Sequence, residues 1–464
     1  MPKARHGDPG AGEPSKRPRR RKQHEGDEQP ASGHRHRRHE PHTAVHKHKK
    51  DEGGRRPRTR RPKSTTKSVA EWTAASLAQY DRIANRWVPL DPSTLPDRAP
   101  LLSQNDPRLR LLTYNTFSGD PSHTQSQTRA LLAILERAQA DLISLQEVSE
   151  GFYRALQGWA ASRKQREAEW VLTRVDEFWH KAGPEAQRGP KRKRGQREAC
   201  VLLVRRGVLG GGSAVRFCRL ETARDEGGKA AIGLSLSSGG QERLRLVTSH
   251  FSALPERAAL RSRQYQLCAD FLAEGPHPAS HPPAPAFPRV FLGDTNASSA
   301  SELDPLTSDA RLGLVDAARA ASSGAVVPPL RPGASETDAD FRAAPTFGHL
   351  YPYVRGGAHS RPRKVRRIDR VYVSSAPSST FRSSPALGRS SGGASSAAME
   401  IDDAQTSDLS AGAMAAEVLS YDHLGSEPLE GKDERDRLGR DGRRYASDHE
   451  AVVVELRLYP KAFD

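Results

Sequence analysis

Four short strings in this chain set carboxylates, carboxamides and a histidine at the ends of apolar runs. Gly293–Asn296 reads GDTN directly after Val290, Phe291 and Leu292, and Ser447–His449 reads SDH just before the run Ala451–Leu458. Upstream, Tyr114 and Asn115 close the run Leu109–Thr113, and Gln146, Glu147 and Val148 close Leu142–Leu145. Two further strings, TSH at Thr248–His250 and IDR at Ile368–Arg370, sit beside apolar runs of their own. Hydrolysis of a phosphodiester needs a nucleophilic water, neutralisation of charge on the non-bridging oxygens and help for the leaving oxygen. Carboxylates and carboxamides around a hard cation meet the first two needs.

Roles follow from residue type. Glu147 is the first candidate to hold Mg²⁺ (or Mn²⁺), with Asn115 as a neutral ligand or phosphate-orienting amide and Asp448 as a second acid in the metal shell. Asp294 can position and deprotonate the water, and Asn296, two residues on and so on the same strand face, can hold the nucleophile or the phosphate. His449 suits the transition state, because an imidazolium on a phosphate oxygen stabilises developing charge; Asp369 is the carboxylate expected to orient it. His250 reads in two ways. It is a hydrogen-bonded structural histidine, or, if Glu198 lies beside it and raises its pKa, a general acid.

The elements that must position these groups are short. Strands are expected at Leu109–Thr113, Asp141–Gln146, Cys200–Arg205, Ala230–Leu236, Leu244–Ser249, Arg289–Leu292, Ile368–Val373 and Ala451–Leu458. Helical spacing covers Gln125–Gln139 and Glu256–Leu272, and Ser149 is placed to cap a helix bearing Phe152, Leu156 and Trp159. Strands outnumber helices, which favours packed sheets with flanking helices over a doubly wound parallel sheet. Ser68–Trp87 is predicted as a helix that docks on the domain, with Ser68 and Glu71 as a capping box and Trp72, Tyr80 and Trp87 on one face; residues 68–107 then lead into a catalytic domain over 108–464. Two insertions are expected, at 181–197, where Lys191–Arg194 reads KRKR, and at 374–445, which is expected to loop out of the fold.

Charge is distributed unevenly. Residues 1–67 hold 21 Lys/Arg against 8 Asp/Glu, whereas the whole chain carries +17, so most of the excess belongs to this segment. It has no aliphatic run and cannot offset its own ordering entropy, so a disordered basic tail is expected. Its blocks Ser15–Lys22 and Arg55–Lys63 suit nucleic acid, an import receptor or plain solvation. The three cysteines, Cys200, Cys218 and Cys268, match no zinc or CxxC spacing and read as buried thiols in a nuclear or cytoplasmic protein. No apolar stretch approaches the roughly 20 residues that span a bilayer, so no membrane partner is expected.

Taken together, the strings TYN, LQEV, TSHF, GDTN, IDR and SDH resemble the endonuclease/exonuclease/phosphatase superfamily over about Leu109–Leu458. That resemblance implies an α/β, four-layered sandwich of two packed mixed β-sheets flanked by helices, DNase I-like, and a metal-dependent phosphodiesterase. Within the superfamily the strings look most like the tyrosyl-DNA phosphodiesterase 2 branch. This implies a monomer acting in DNA repair on 5′-tyrosyl DNA ends of single-stranded character, with Asn115, Glu147, Asp294 and His449 as the catalytic set. It also implies substrate contacts from Phe347 and from Arg263, which lies near Gln266, and it singles out Arg370, which follows the IDR aspartate where rival families carry an aromatic residue.

Two departures keep a DNase I-like or abasic-site endonuclease open. TSHFSAL lacks the acidic residue usual after the histidine, and EACVLLVR, which Glu198 opens, resembles the DNase I strand whose glutamate pairs with a histidine. A tyrosine leaving group, with a pKa of about 10, departs with little acid help, whereas a sugar alkoxide needs a proton. An RNA deadenylase-like enzyme, a phospholipid phosphodiesterase and a catalytically idle DNA-tethering protein are the remaining alternatives.

Overall fold

The computed structural model describes residues 71–118, 123–162, 165, 169–175, 198–222, 229–274, 287–321, 337, 343–347, 353–354, 361–362, 366–374, 414–427 and 445–460. The basic tail, the KRKR segment and most of the second expected insertion lie outside them.

Two mixed sheets make up the described fold. One has seven strands in the order β1 (Trp72–Ala75), β8 (Ala214–Arg219), β9 (Ala230–Ser238), β10 (Gln241–His250), β11 (Arg289–Asp294), β15 (Asp369–Ser374) and β12 (Leu314–Asp316). The other has eight, in the order β16 (Met414–Leu424), β17 (Ala451–Pro460), β4 (Arg108–Asn115), β5 (Leu142–Ser149), β7 (Glu198–Arg205), β6 (Trp170–Thr173), β2 (Leu77–Asp81) and β3 (Arg86–Pro89). Only β10 with β11 and β4 with β5 pair in parallel. A separate two-stranded ribbon joins β13 (Tyr353–Val354) and β14 (Arg361–Pro362).

Period-two alternation sorts the apolar side chains into layers. Leu111, Leu142, Leu202, Val204, Leu246, Val290, Val371 and Val454 share one core that draws on both sheets. Their sequence neighbours Leu112, Ile143, Leu203 and Val453 turn the other way and pack on Leu131, Ile134 and Leu135 of α1 (Gln125–Ala138) and on Phe152 and Leu156 of α2 (Glu150–Ala160). Val247 and Phe291 likewise turn outward onto Tyr265, Cys268 and Phe271 of α3 (Ala258–Ala273). The result is helices, sheet, sheet, helix: the four-layered sandwich. Thr124 and Gln127 close a capping box at the start of α1, and the Ser149 hydroxyl accepts the Phe152 amide at the start of α2, so both helices begin where polar residues follow a strand.

Two expectations are corrected. The first concerns residues 71–89, which form strands rather than a helix. Tyr80 and Trp87 face one another across the β2–β3 hairpin with ring centroids 5.7 Å apart, and Trp72 pairs with Phe271 of α3 at 4.3 Å. The aromatic spacing fits a helix, but the Asp81 carboxylate accepts the Ile83 and Ala84 amides and Asn85 takes φ 52°, which closes a turn instead. The segment therefore contributes strands to both sheets.

The second correction concerns the insertion after Ser374, which does not wholly loop out. Its residues 414–424 return as edge strand β16 against β17, with Ala416, Val418 and Tyr421 buried.

Tyr421 is tied inward by Arg367, which hydrogen-bonds it and also reaches Asp316 at 2.7 Å. Arg370 donates to the same Asp316 oxygen at 2.9 Å and to the Arg367 carbonyl at 3.0 Å. Burial alone would raise the Asp316 carboxyl; the two guanidiniums override it and hold it below the usual carboxylate range. Asp316→Ala leaves two guanidiniums buried without their shared anion. It should cost about 3–5 kcal/mol, seen as a lower urea midpoint at unchanged slope.

Candidate active site

The parallel pairings bring the polar strings together. Asn115, at the end of β4, is in register with Gln146 within β5, and His250 with Asp294 at the ends of β10 and β11; Asp294 in turn faces Asp369 at the start of β15. The Asn115 amide spans the two sheets, donating to Asp294 Oδ2 at 2.9 Å and to Glu147 Oε1 at 3.2 Å. The SDH string enters just before β17. His449 Nδ1 meets Asp369 Oδ2 at 2.7 Å, while its Nε2 lies 3.8 Å from Asp448 Oδ1 and 4.0 Å from Asp294 Oδ2. His250 Nε2 lies 3.5 Å from Glu147 Oε1 and 3.6 Å from Asp294 Oδ2. Seven of the expected side chains, Asn115, Glu147, His250, Asp294, Asp369, Asp448 and His449, therefore meet at one mouth of the sandwich.

Local backbone departures aim them. A bulge in β5 between Leu145 and Val148 leaves Glu147 at φ 52°, a left-handed conformation rare outside glycine. The loop after β4 holds it there. Thr116 Oγ1 donates to the carbonyls of Gln146 (3.0 Å) and Glu147 (3.2 Å), and Ser118 Oγ donates to the Glu147 carbonyl at 2.9 Å. In GDTN the glycine is required by space, since a Cβ on Gly293 would stand 2.2 Å from the Ser249 carbonyl oxygen. Asn296 sits at φ 50°; its amide hydrogen goes to Asp294 Oδ1 at 2.9 Å and its carboxamide donates to the Phe251 carbonyl at 3.1 Å. Asn296 thus ties the loop after β10 to the loop after β11.

A sequence model described as the endonuclease/exonuclease/phosphatase family matches residues 112–449, which contain every one of these groups. The chain belongs to the endonuclease/exonuclease/phosphatase family. Among solved structures it is similar to TDP2 from Caenorhabditis elegans, at 15% identity over 75% of this chain and 74% of that one, with a TM-score of 0.42. It is also similar to the human Nocturnin catalytic domain, at 14% identity over 78% and 99% (TM-score 0.43). A third likeness is to a mannosyl-6-phosphatase of Bacteroides thetaiotaomicron, at 12% identity over 75% and 99% (TM-score 0.41). No curated protein sequence matches the chain.

The electrostatics of this family member's site are those of crowded acids. Burial, then the charge of Glu198, lift Glu147 to about 7 against the pull of Lys229 and His449. Burial and the neighbouring Asp369 lift Asp294 to about 6, although His449, Asn115 and Asn296 oppose them. Burial would lower the His449 imidazole, but Asp369, Asp448 and Asp294 outweigh it and push it up to about 10.

A buried Asp294–Asp369–His449 group brings its candidate ligand atoms within 4.8 Å of one another and could hold a metal. His449, kept protonated by Asp369, offers no lone pair. The donors that fit a hard cation are therefore oxygens: the Glu147, Asp294 and Asp448 carboxylates and the Asn115 carboxamide. Asp369 Oδ1 is buried with no hydrogen-bond partner among the described residues, a further sign of uncompensated negative charge.

Several expected contacts fall elsewhere. Glu198 is exposed at the start of β7, opposite Ser149, and the groups that meet the His250 ring are Lys229, Glu147 and Asp294. The His250 imidazole is accordingly not raised but lowered well below its usual value, by burial first, then by Lys229 and His449. Arg263 lies on the exposed side of α3 with Glu221 at 3.1 Å, and Gln266 bonds Asp270 at 3.0 Å.

Two residues earlier on the helix, Arg261 and Gln264 face inward. Arg261 donates to the carbonyls of Ser252 (3.0 Å) and Leu254 (2.6 Å) and to Glu302, while Gln264 brackets Ser252 through its amide and hydroxyl. The helical period was legible, because Arg261, Gln264, Tyr265 and Cys268 form the buried stripe. Arg370 is fully buried in the Asp316 ion pairs, and so does not face a substrate. Phe347 is partly exposed, bridged through its backbone to His449, with its ring 4.8 Å from the imidazole.

In metal-free protein, NMR should find the His449 ring protonated from pH 6 to beyond pH 8, and Asp369→Asn should bring its titration down into that range. A raised pKa contributes stability that is complete below about 6.5 and is lost as pH rises through about 10, so the variant should lose most of its deficit at alkaline pH. A wild-type ring that titrates near 6.5 would contradict the pairing.

Proposed function

We propose that this protein is a Mg²⁺-dependent phosphodiesterase of DNA ends, acting on 5′-phosphotyrosyl linkages in repair within the nucleus. Asp294 takes the proton of the attacking water, its raised carboxyl being a better base than an ordinary aspartate. Asn115 holds Asp294 in place and offers its amide to the phosphate. His449, fixed by Asp369, carries a positive charge to the non-bridging oxygens as charge develops there. Glu147, Asp448 and Asn115 would hold Mg²⁺, which when bound neutralises charge on the phosphate.

The observation that carries the choice of substrate is the environment of His250. Burial, and then the lysine ammonium 3.0 Å away, disfavour an imidazolium at His250 and so the acid that a leaving alkoxide requires, whereas a tyrosine phenolate departs without one. Phe347, partly exposed beside His449, supplies a face on which a base or the tyrosyl ring can stack. Glu198 favours the second reading, a general DNA endonuclease. It lies at the strand end next to the site and its charge reaches Glu147.

A side-by-side assay separates the two. A 5′-phosphotyrosyl oligonucleotide and the same unmodified duplex are incubated with Mg²⁺ and either wild-type protein or Asp294→Ala. Release of tyrosine from an intact strand is expected, with a loss of about 10²–10⁴-fold in the variant at little change in melting temperature. Cleavage inside the unmodified duplex with tyrosine left in place would move the protein to the nuclease reading, and a retained rate in the variant would remove Asp294 from the mechanism.

A further inference from the structure

Lys229 belongs to none of the strings that announce the site, yet it stands inside it. It directly precedes β9, the antiparallel neighbour of the strand that ends in His250, and its own carbonyl is fixed by the Leu220 amide at 3.0 Å. Its Nζ lies 3.0 Å from His250 Nδ1 and 3.1 Å from Nε2. A donor aimed at one ring lone pair lies close to one nitrogen; near-equal distances put the ammonium over the ring between the two. The same imidazole is 3.5 Å from Glu147 and 3.6 Å from Asp294, so the ammonium is carried to the edge of the catalytic carboxylates.

The partnership makes little sense as a structural contact. An imidazole carries no negative charge to answer a lysine with three donors, and no ion pair to Lys229 is formed among the described residues. What it does achieve is to seat a cation, with donors to spare, beside groups assembled to handle a phosphate. Its charge is felt there, since it opposes the upward shift of Glu147 and contributes to keeping His250 neutral.

We propose that Lys229 is a catalytic residue that donates a hydrogen bond to a non-bridging oxygen of the phosphate undergoing cleavage, with His250 as the seat that positions its ammonium. The assignment rests on the phosphodiesterase reading above. In the step itself, the water oxygen bonds to phosphorus as its proton passes to Asp294, and the P–O bond to the leaving group breaks with its electron pair remaining on the leaving oxygen. Lys229 keeps its proton throughout and balances charge gathering on the non-bridging oxygen, opposite in sign and fixed in place before reaction.

The test uses the full chain with Mg²⁺ and the linkage that the wild type cleaves, phosphotyrosyl or internal, prepared with oxygen and as each of the two phosphorothioate diastereomers. Lys229→Met should lower kcat/KM on the oxygen linkage by about 10²–10³-fold, with Lys229→Arg recovering part of it. Sulfur weakens the hydrogen bond only when it replaces the oxygen that Lys229 contacts. The wild type should therefore discriminate between the diastereomers, and Lys229→Met should lose much of that discrimination. Wild-type rates in Lys229→Met, or a loss by the same factor on all three linkages, would overturn the assignment while leaving the phosphodiesterase reading intact. A wild-type protein inert towards every linkage would overturn that reading, and this assignment with it.

Discussion

One hydrogen bond, from the Asn115 amide to Asp294, links the catalytic ends of the two sheets, and the geometry of the site depends on it. Asn115 ends a strand of the eight-stranded sheet and Asp294 a strand of the seven-stranded one, so any sliding of one sheet over the other would separate them. The apolar core between the sheets supplies the packing that prevents such sliding. A second polar link lies just behind, where the Ser144 and Thr248 hydroxyls meet across the interface and Gln146 donates to Ser144 at 2.7 Å. Buried polar groups of this kind are tolerated when each finds a partner: Ser144 finds Thr248 on the opposite sheet, and Gln146 finds Ser144 and Thr113 on its own.

That alignment permits a dense group of charges that would repel in any looser arrangement. Glu147, Asp294, Asp369 and Asp448 crowd one end of the sandwich, and two basic groups answer them, His449 through Asp369 and Lys229 through His250. The two histidines are thereby driven apart. The one flanked by aspartates is held protonated and the one facing a lysine is held neutral, although both end up buried. Two imidazoles in one site thus differ in their contacts, one held against Asp369 and the other against Lys229.

The backbone carries the strain of this arrangement. Glu147 and Asn296 both adopt left-handed φ values; the Glu147 carbonyl accepts from Thr116 and Ser118, and the Asn296 carboxamide donates to the Phe251 carbonyl. Arg261 and Gln264 complete the scaffold by gripping the segment after His250 from the helix behind it, so the histidine's loop is set by side chains that never reach the pocket. Such positions are conformationally costly and are kept only where surrounding contacts over-determine them.

The sequence by itself determined eight of the strands, the three long helices and the strings that mark the site. Apolar alternation and polar strand-end residues are local properties, and Leu109–Asn115, Leu142–Glu147 and Val290–Asp294 carry both. It also carried the family, because the order of those strings along the chain is specific. Tertiary structure decided what depends on partners distant in the chain. Trp72, Tyr80 and Trp87 have helical spacing, and only the available sheet edges and the Asp81 turn made that segment strands. Arg370 lies beside Asp369 in sequence, yet strand alternation sends it to the opposite face and into the Asp316 ion pairs. Lys229 follows a charged segment that ends in Gly227 and Gly228, with no periodicity to flag it, and only the antiparallel pairing of β9 with β10 brings it to His250. Glu198, adjacent in pattern to a familiar pair, was left at the rim because the imidazole's neighbours are chosen by the packing of strands rather than by their order in the chain.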